Sequence, residues 1–191
     1  MVYEDIIESI KASRIIEKGG YHYFVHPLSN GIPVTDPAMI DAISDWMQSV
    51  GNLDCDLILA PEAMGIPFAV ALSLKTGIPY SVIRKSSCGA EDEIEIVQRT
   101  GYSKSVMYIS GVKEGTRVVI VDDVISTGGT MSAVLNAVKD AKAVVTDVLV
   151  VINKDNGASK IDDVTKVKTL FDVRMTKDGL DACVTPGAVS D

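Results

Sequence analysis

Basic residues are in short supply in this 191-residue chain. Lys plus Arg total 18 against 26 Asp plus Glu, giving a net charge of −8 and a pI near 4.7. A broad nucleic-acid surface collects phosphates with a basic field, so no nucleic-acid partner is expected. A small anionic ligand stays open, because local donors, a metal or a helix terminus reverse the sign inside one site. Cysteine is scarce as well. Cys55, Cys88 and Cys183 are odd in number and far apart, without the paired spacing of a disulfide framework or a zinc site, and read as reduced thiols. Long apolar runs are missing: the stretch 63–74 is broken by Gly65 and Pro67 and falls short of the roughly 18 to 20 apolar residues that span a bilayer, so no membrane partner is expected. The opening Met-Val-Tyr-Glu-Asp is acidic where a secretory signal would be basic, which points to the cytoplasm. Internal repeats and low-complexity segments are absent.

What is present is ordinary globular composition, 47% hydrophobic and 23% charged, in a length that suits one domain. Short β-branched runs alternate with helical stretches, which predicts an α/β fold with a mainly parallel central sheet flanked by helices. Ile6, Ile7, Ile10, Ile15 and Ile16 suit one face of an opening helix that Gly19-Gly20 ends, followed by a strand over Tyr21–Val25. Asp36 as cap and Pro37 at the first position predict a helix to about Val50. Core strands are expected at 55–60, 80–84, 117–122 and 144–152, with helices near 65–76 and 129–140. Residues 85–104 carry Gly89, a cluster of acids and then Gln98, Arg99, Gly101 and Tyr102. That is too long and too polar for a simple crossover, and it predicts a mobile excursion of the kind that serves as a lid, with a hairpin as one form. Few large apolar residues follow Val173, and the tail is expected to be only partly ordered.

The chemistry is concentrated in Arg117-Val118-Val119-Ile120-Val121-Asp122-Asp123-Val124-Ile125-Ser126-Thr127-Gly128-Gly129-Thr130. A buried strand delivers two adjacent carboxylates at its carboxyl end, the edge of an open parallel sheet where ligands bind. The following loop is rich in glycine and hydroxyls and opens into a helix with Met131, Val134, Leu135 and Val138 on its apolar face. Gly128 and Gly129 let backbone amides approach a phosphate, and Ser126, Thr127 and Thr130 add hydroxyl donors. Two carboxylates about 5 Å apart at an effective dielectric near 20 repel by about 3 kcal/mol, so the pair needs a compensating partner. Vicinal ribose hydroxyls donate to such a pair, and Mg2+ held chiefly by substrate oxygens neutralises it. Acid pair and cradle together describe a ribose 5-phosphate.

This segment resembles the signature of the type I phosphoribosyltransferases, and the resemblance covers about 1–173, nearest the archaeal hypoxanthine/guanine subgroup. It implies the type I phosphoribosyltransferase fold in a single domain over 1–191, with a small N-terminal hood from about 1–36 plus the C-terminal segment and a flexible loop at 85–104. It further implies magnesium-assisted transfer of a phosphoribosyl group from phosphoribosyl pyrophosphate to a purine base in a homodimeric, cytoplasmic enzyme. Asp122 and Asp123 would face the ribose, with any metal contact running through water. Ser126, Thr127, Gly128, Gly129 and Thr130 would hold the 5-phosphate. Glu62, Ala63, Met64 and Gly65 resemble the family's pyrophosphate loop, which often holds an unusual peptide bond. Arg84 and Lys85 would meet the departing pyrophosphate, Lys85 among the catalytic groups with the two aspartates. Tyr102, Ser103 and Lys104 are further candidates for the leaving group, and a closed lid would keep water from an oxocarbenium-like centre.

The base is addressed by two residues. Asn30, in Leu28-Ser29-Asn30-Gly31-Ile32-Pro33, occupies a segment similar to the hood; a turn before glycine is its plainer reading. Lys154 stands just beyond a strand end, where the 6-oxopurine and xanthine branches place a donor to the exocyclic oxygen. An ammonium only donates, so it favours an oxo group over an amino group. A surface lysine beside Asp155 is the plainer alternative. One departure stands out: long-known hypoxanthine/guanine enzymes carry an aspartate at the position of Ser126, which leaves the handling of the purine proton open. His22 and His26 are given no role. Adenine, xanthine or orotate transfer, and a phosphoribosyl pyrophosphate-sensing regulator without catalysis, remain the alternatives. A response-regulator receiver would place its acids nearer the amino terminus and lacks the Thr-Gly-Gly-Thr cradle.

Overall fold

The computed structural model describes residues 2–99 and 104–189. Its centre is β7 (Arg117–Ile125), whose β-branched run is buried on both faces, as a strand covered on both sides by helices must be. The elements before it are α1 (Val2–Lys11), β1 (Arg14–Lys18), β2 (Tyr21–Val25), α2 (Pro27–Asn30), α3 (Pro37–Val50), β3 (Leu57–Pro61), α4 (Gly65–Thr76), β4 (Tyr80–Ile83), β5 (Ile94–Arg99) and β6 (Lys104–Ile109). After it come α5 (Gly129–Asp140), β8 (Val144–Lys154), a short 3-10 turn (Ala158–Ile161), β9 (Lys168–Thr176) and β10 (Gly179–Val184).

Six strands form the main sheet in the order β10-β9-β8-β7-β3-β4, parallel except for the antiparallel β10 edge. Alternation along β7 divides the core. Val119 and Val121 pack with Ile43, Trp46 and Met47 of α3 and Phe68 and Leu72 of α4. Val118 and Ile120 face the opposite layer, with Met131, Val134 and Val138 of α5 and Ile96, Met107 and Ile109 of the β5–β6 hairpin. Each such side chain contributes roughly 1.5–3 kcal/mol on burial. The α3 start is as expected: Asp36 Oδ1 accepts from Ala38 N at 2.8 Å, with Pro37 at the first position.

Two expectations fail. The opening helix stops at Lys11, and Ile15 and Ile16 lie in β1, paired antiparallel with β2. Gly19 and Gly20, at φ +61° and +75°, make a two-residue hairpin turn rather than a helix end, because successive left-handed residues match the twist of two strands. The tail after Val173 is ordered through β9 and β10. Leu180 and Ala182 bury in the core on the α1 side, and Trp46 Nε1 donates to Ala188 O at 2.9 Å, so a few well-placed apolar residues suffice. The 85–104 excursion does contain a strand of a hairpin, but the returning strand continues to Ile109, and backbone bonds of 2.8 and 2.7 Å tie Tyr108 to Arg84. No helix among the described residues is long and apolar enough to cross a membrane. All three cysteines are unpaired.

Candidate active site

The site follows from strand order. From β3 the chain runs through α4 outward to β4, whereas from β7 it runs through α5 to β8 on the other side. Two neighbouring parallel strands whose connections diverge leave a crevice at their carboxyl ends. Glu62, Ala63 and Met64 turn the chain from β3 into α4, and Ser126, Thr127 and Gly128 turn it from β7 into α5. The Glu62–Ala63 peptide is cis, in the segment where an unusual peptide was expected. Gly65, at the start of α4, packs close against β7: a Cβ there would sit 3.0 Å from Val121 O and 3.4 Å from Asp122 Oδ1.

Asp122 is buried, and its Oδ1 accepts from Asp123 N at 2.9 Å. Burial, and then the charge of Asp123, hold the Asp122 carboxyl well above the ordinary carboxylate range. Burial raises Asp123 too, while the Lys85 ammonium works against both shifts. The pair therefore retains a proton at pH values where an exposed aspartate has none, and it gains from any partner that donates to it or carries positive charge.

The turn after β7 is held from behind by the loop that follows β8. Gly157 leaves no space for a side chain, since a Cβ would lie 2.5 Å from Ile125 O and 2.6 Å from Ser126 Cα. Gly128, at φ +75°, presses its α-carbon against Ile161, with 2.6 Å from a built Cβ to Cγ2. Lys160 Nζ donates to Ser126 O at 2.6 Å. Gly128 caps α5 and Met64 caps α4, and neither supplies a side chain to the first-turn amides. Both helices thus present backbone donors at the crevice.

A cavity of about 760 Å³ occupies this crevice, and its wall brings together Asn30, Glu62, Lys85, Asp122, Asp123, Ser126, Thr130 and Lys154. Glu62 Oε1 accepts from Lys85 N at 2.5 Å, joining the β3 turn to the start of the excursion. Ala63, Met64, Thr127 and Gly128 form turns beside the cavity rather than its wall, Gly65 and Gly129 open the helices that follow, and Arg84, which is exposed, is bridged to Tyr108. Tyr102 and Ser103 lie outside the described residues, and Lys104 is described only as the first residue of β6.

Asn30 ends α2, with Gly31 at φ +69° capping it, so it is a residue before a glycine turn and also a wall residue. Lys154 is the last residue of β8, not a position beyond it. It is no surface lysine: 4% exposed, it lies 3.5 Å from Asp155 Oδ2 and donates to Tyr21 Oη at 2.8 Å and to His22 O at 2.9 Å. Tyr21, Tyr23 and Phe24 of the hood hairpin, and Val106 and Met107 of β6, complete much of the wall and were missed from sequence. Tyr21 was already expected at the head of a strand; reading Gly19-Gly20 as a hairpin turn would have paired that strand with Ile15 and Ile16. Nothing local marks Val106 or Met107, which arrive by tertiary packing.

Charge, cavity and strand order define a crevice at the carboxyl ends of a parallel α/β sheet, the place where such sheets bind ligands. The chain belongs to the phosphoribosyl transferase domain family, which it matches over residues 34–180, and so to a family of glycosyl-transferring enzymes. It is 42% identical over 178 residues to a hypoxanthine/guanine phosphoribosyltransferase of Methanohalophilus mahii, covering 93% of this chain and 94% of that one. A hypoxanthine/guanine phosphoribosyltransferase of Ferroglobus placidus is 47% identical over 176 residues, 92% of this chain and 94% of the relative. Among solved structures, an adenine phosphoribosyltransferase of Thermoanaerobacter pseudethanolicus superposes with a TM-score of 0.70 at 26% identity, over 86% of this chain and 98% of that one.

Proposed function

We propose that the chain acts in purine salvage, transferring the 5-phosphoribosyl group from phosphoribosyl pyrophosphate to hypoxanthine or guanine and giving IMP or GMP with pyrophosphate. The observation that carries the choice of base is Lys154, a buried donor-only group on the wall that also holds the acid pair. Facing an oxo oxygen it makes a charge-assisted bond. Facing an amino group it meets a second donor and is left unpaired, at about 1–3 kcal/mol or more for a charge.

In this reading Asp122 and Asp123 accept from the two ribose hydroxyls, which suits carboxyls whose charged form burial disfavours and added donors would restore. Ser126, Thr127, Gly128, Gly129 and Thr130 receive the 5-phosphate, and Glu62, Ala63, Met64 and Gly65 receive the pyrophosphate with Arg84 and Lys85. Lys85 opposes charge building on the leaving group, the largest single contribution such a site makes. Asn30 contacts the base from the hood. Tyr102 and Lys104 are proposed to meet the pyrophosphate, with closure of the 85–104 excursion excluding water.

The described residues hold no group of three or more His, Cys, Asp or Glu that could cage a metal. Two carboxyls beside a pyrophosphate site fit Mg2+ carried by substrate oxygens, with Asp122 and Asp123 as its protein contacts through water. Bound in that way it supplies charge neutralisation to the leaving group. Ser126 puts no carboxylate beside the base, so leaving-group stabilisation carries more of the rate here, with the purine proton passing to water or to a residue other than Ser126. A homodimer in the cytoplasm completes the proposal.

The test is a product assay with Mg2+, phosphoribosyl pyrophosphate and hypoxanthine, guanine, xanthine or adenine supplied one at a time. IMP and GMP formation with pyrophosphate release is expected. Adenine used as well as hypoxanthine would remove the base assignment, and no product with any base would remove catalysis.

A further inference from the structure

Tyr21 opens β2 immediately after the Gly19-Gly20 turn, and its hydroxyl stands between two residues of the crevice. It accepts from Lys154 Nζ at 2.8 Å and is hydrogen-bonded to Ser126 Oγ. The polarity of this chain is set at one end. An ammonium donates only, so the phenol oxygen must accept from Lys154, and its single proton turns to Ser126. Lys154 also stacks against the Tyr21 ring, 4.0 Å from its centroid. Its nearest acceptors are Tyr21 Oη and His22 O, both hydrogen-bonded, and Asp155 Oδ2, an ion-pair partner at 3.5 Å. His22 O belongs to the backbone of β2, and Asp155 Oδ1 is engaged with Met175 N at 3.0 Å. Of the three acceptors, Tyr21 Oη sits on a side chain that lines the cavity and is able to leave by rotation.

We propose that Tyr21 is a specificity-determining residue of the base site: its phenol oxygen keeps the acceptor position on Lys154 that the exocyclic oxygen of an incoming 6-oxopurine takes over. The proposal rests on the 6-oxopurine reading and deepens it. An oxo oxygen exchanges one acceptor for another and leaves Lys154 satisfied. An amino group cannot replace the phenol without leaving a buried ammonium facing a donor, so adenine does not release Tyr21. Release also breaks the Tyr21–Ser126 bond, so the hood separates from the phosphate turn only when a suitable base arrives. Affinity for the base is lowered by this internal competitor, as it is for any site whose binding-competent form is a minor population.

Removing the phenol oxygen reverses the sign that a direct base contact would give. With Tyr21→Phe, KM for hypoxanthine at saturating phosphoribosyl pyrophosphate is expected to fall about 3- to 10-fold, the worth of one net hydrogen bond. The same variant should use adenine no better than the unmodified enzyme, because Lys154 still presents only donors. A raised KM would mean that the phenol binds the base itself, and an unchanged KM that it has no part in selection; either result overturns the proposal. A fall in kcat with KM unmoved would assign Tyr21 to proton transfer and overturn it too. Should Tyr21→Phe fail to fold, Tyr21→Leu removes the same oxygen and is read by the same ratio, a lower hypoxanthine KM being expected and an equal or higher one contradicting the idea. The unmodified protein is assayed first: without IMP or GMP from it the functional reading fails, whereas product formation with an unmoved KM in the variant sinks the Tyr21 inference alone.

Discussion

The turn after β7 and the hood hairpin β1–β2 face the same cavity, yet they are built in opposite ways. The first is local: strand, acid pair, glycines and helix follow one another within 14 residues, from Arg117 to Thr130. The second reaches the site through contacts between residues 105 positions apart, Tyr21 with Ser126, and 133 apart, Tyr21 with Lys154. The local turn is also clamped by Gly157, Lys160 and Ile161, whereas the hairpin is a two-stranded sheet of its own, and such ribbons are marginal alone. A braced turn and a lightly held hairpin thus face one cavity, which suits the proposed division between a rigid phosphate site and an adjustable base site.

Breaking the clamp should have the largest effect. Gly157→Ala forces a methyl to 2.5 Å from Ile125 O, where neither backbone can yield freely. A loss of about 3 kcal/mol is expected, a drop of roughly 6–12 °C in melting temperature at this size, together with weaker phosphoribosyl pyrophosphate binding. Calorimetric melting and titration check both; an unmoved melting temperature would mean that the turn is not held from behind.

Asp123→Asn probes the turn's chemistry rather than its support. Loss of a charge-assisted bond of about 1.5–3 kcal/mol weakens phosphoribosyl pyrophosphate roughly 10- to 150-fold, with the fold intact. Unchanged binding in a titration would contradict the ribose assignment.

A smaller effect separates the hood by its pH response. His26 caps α2: Nδ1 accepts from Leu28 N at 3.2 Å, so Nε2 carries the proton and meets Ser9 Oγ at 2.9 Å. Protonating Nδ1 would set donor against donor, and burial pushes the ring's pKa down to about 4. The unfolded chain, near 6.5, takes up the proton first. This contribution is therefore complete above pH 6.5 and is lost as pH falls from there through 4, by about 2 kcal/mol with a ceiling near 3. Denaturant midpoints of the unmodified protein and of His26→Asn, compared between pH 7 and 4.5, should converge on acidification; parallel curves would show that the ring is not held neutral.

Much of the fold was legible because its signals are short-range. Asp36-Pro37 placed α3, and helices α4 and α5 fell where glycine followed an apolar strand. The error at Ile15 and Ile16 has a physical origin: five isoleucines fit a helical stripe as well as they fit a strand, and Gly-Gly serves a helix end or a hairpin turn equally. The tail was misjudged because β10 needs only Leu180 and Ala182 to be buried, too few to register as a pattern.

By itself the sequence determined the sheet's central strand, the acid pair at its end and the donor-rich turn behind it, since backbone period, β-branching and glycine act over a few residues. The tertiary structure alone decided that Lys154 is buried, that Tyr21 occupies it, and that Gly157 and Lys160 brace the turn after β7. Those contacts join segments far apart in the chain, and only the packing of the sheet against its two layers sets which of them meet.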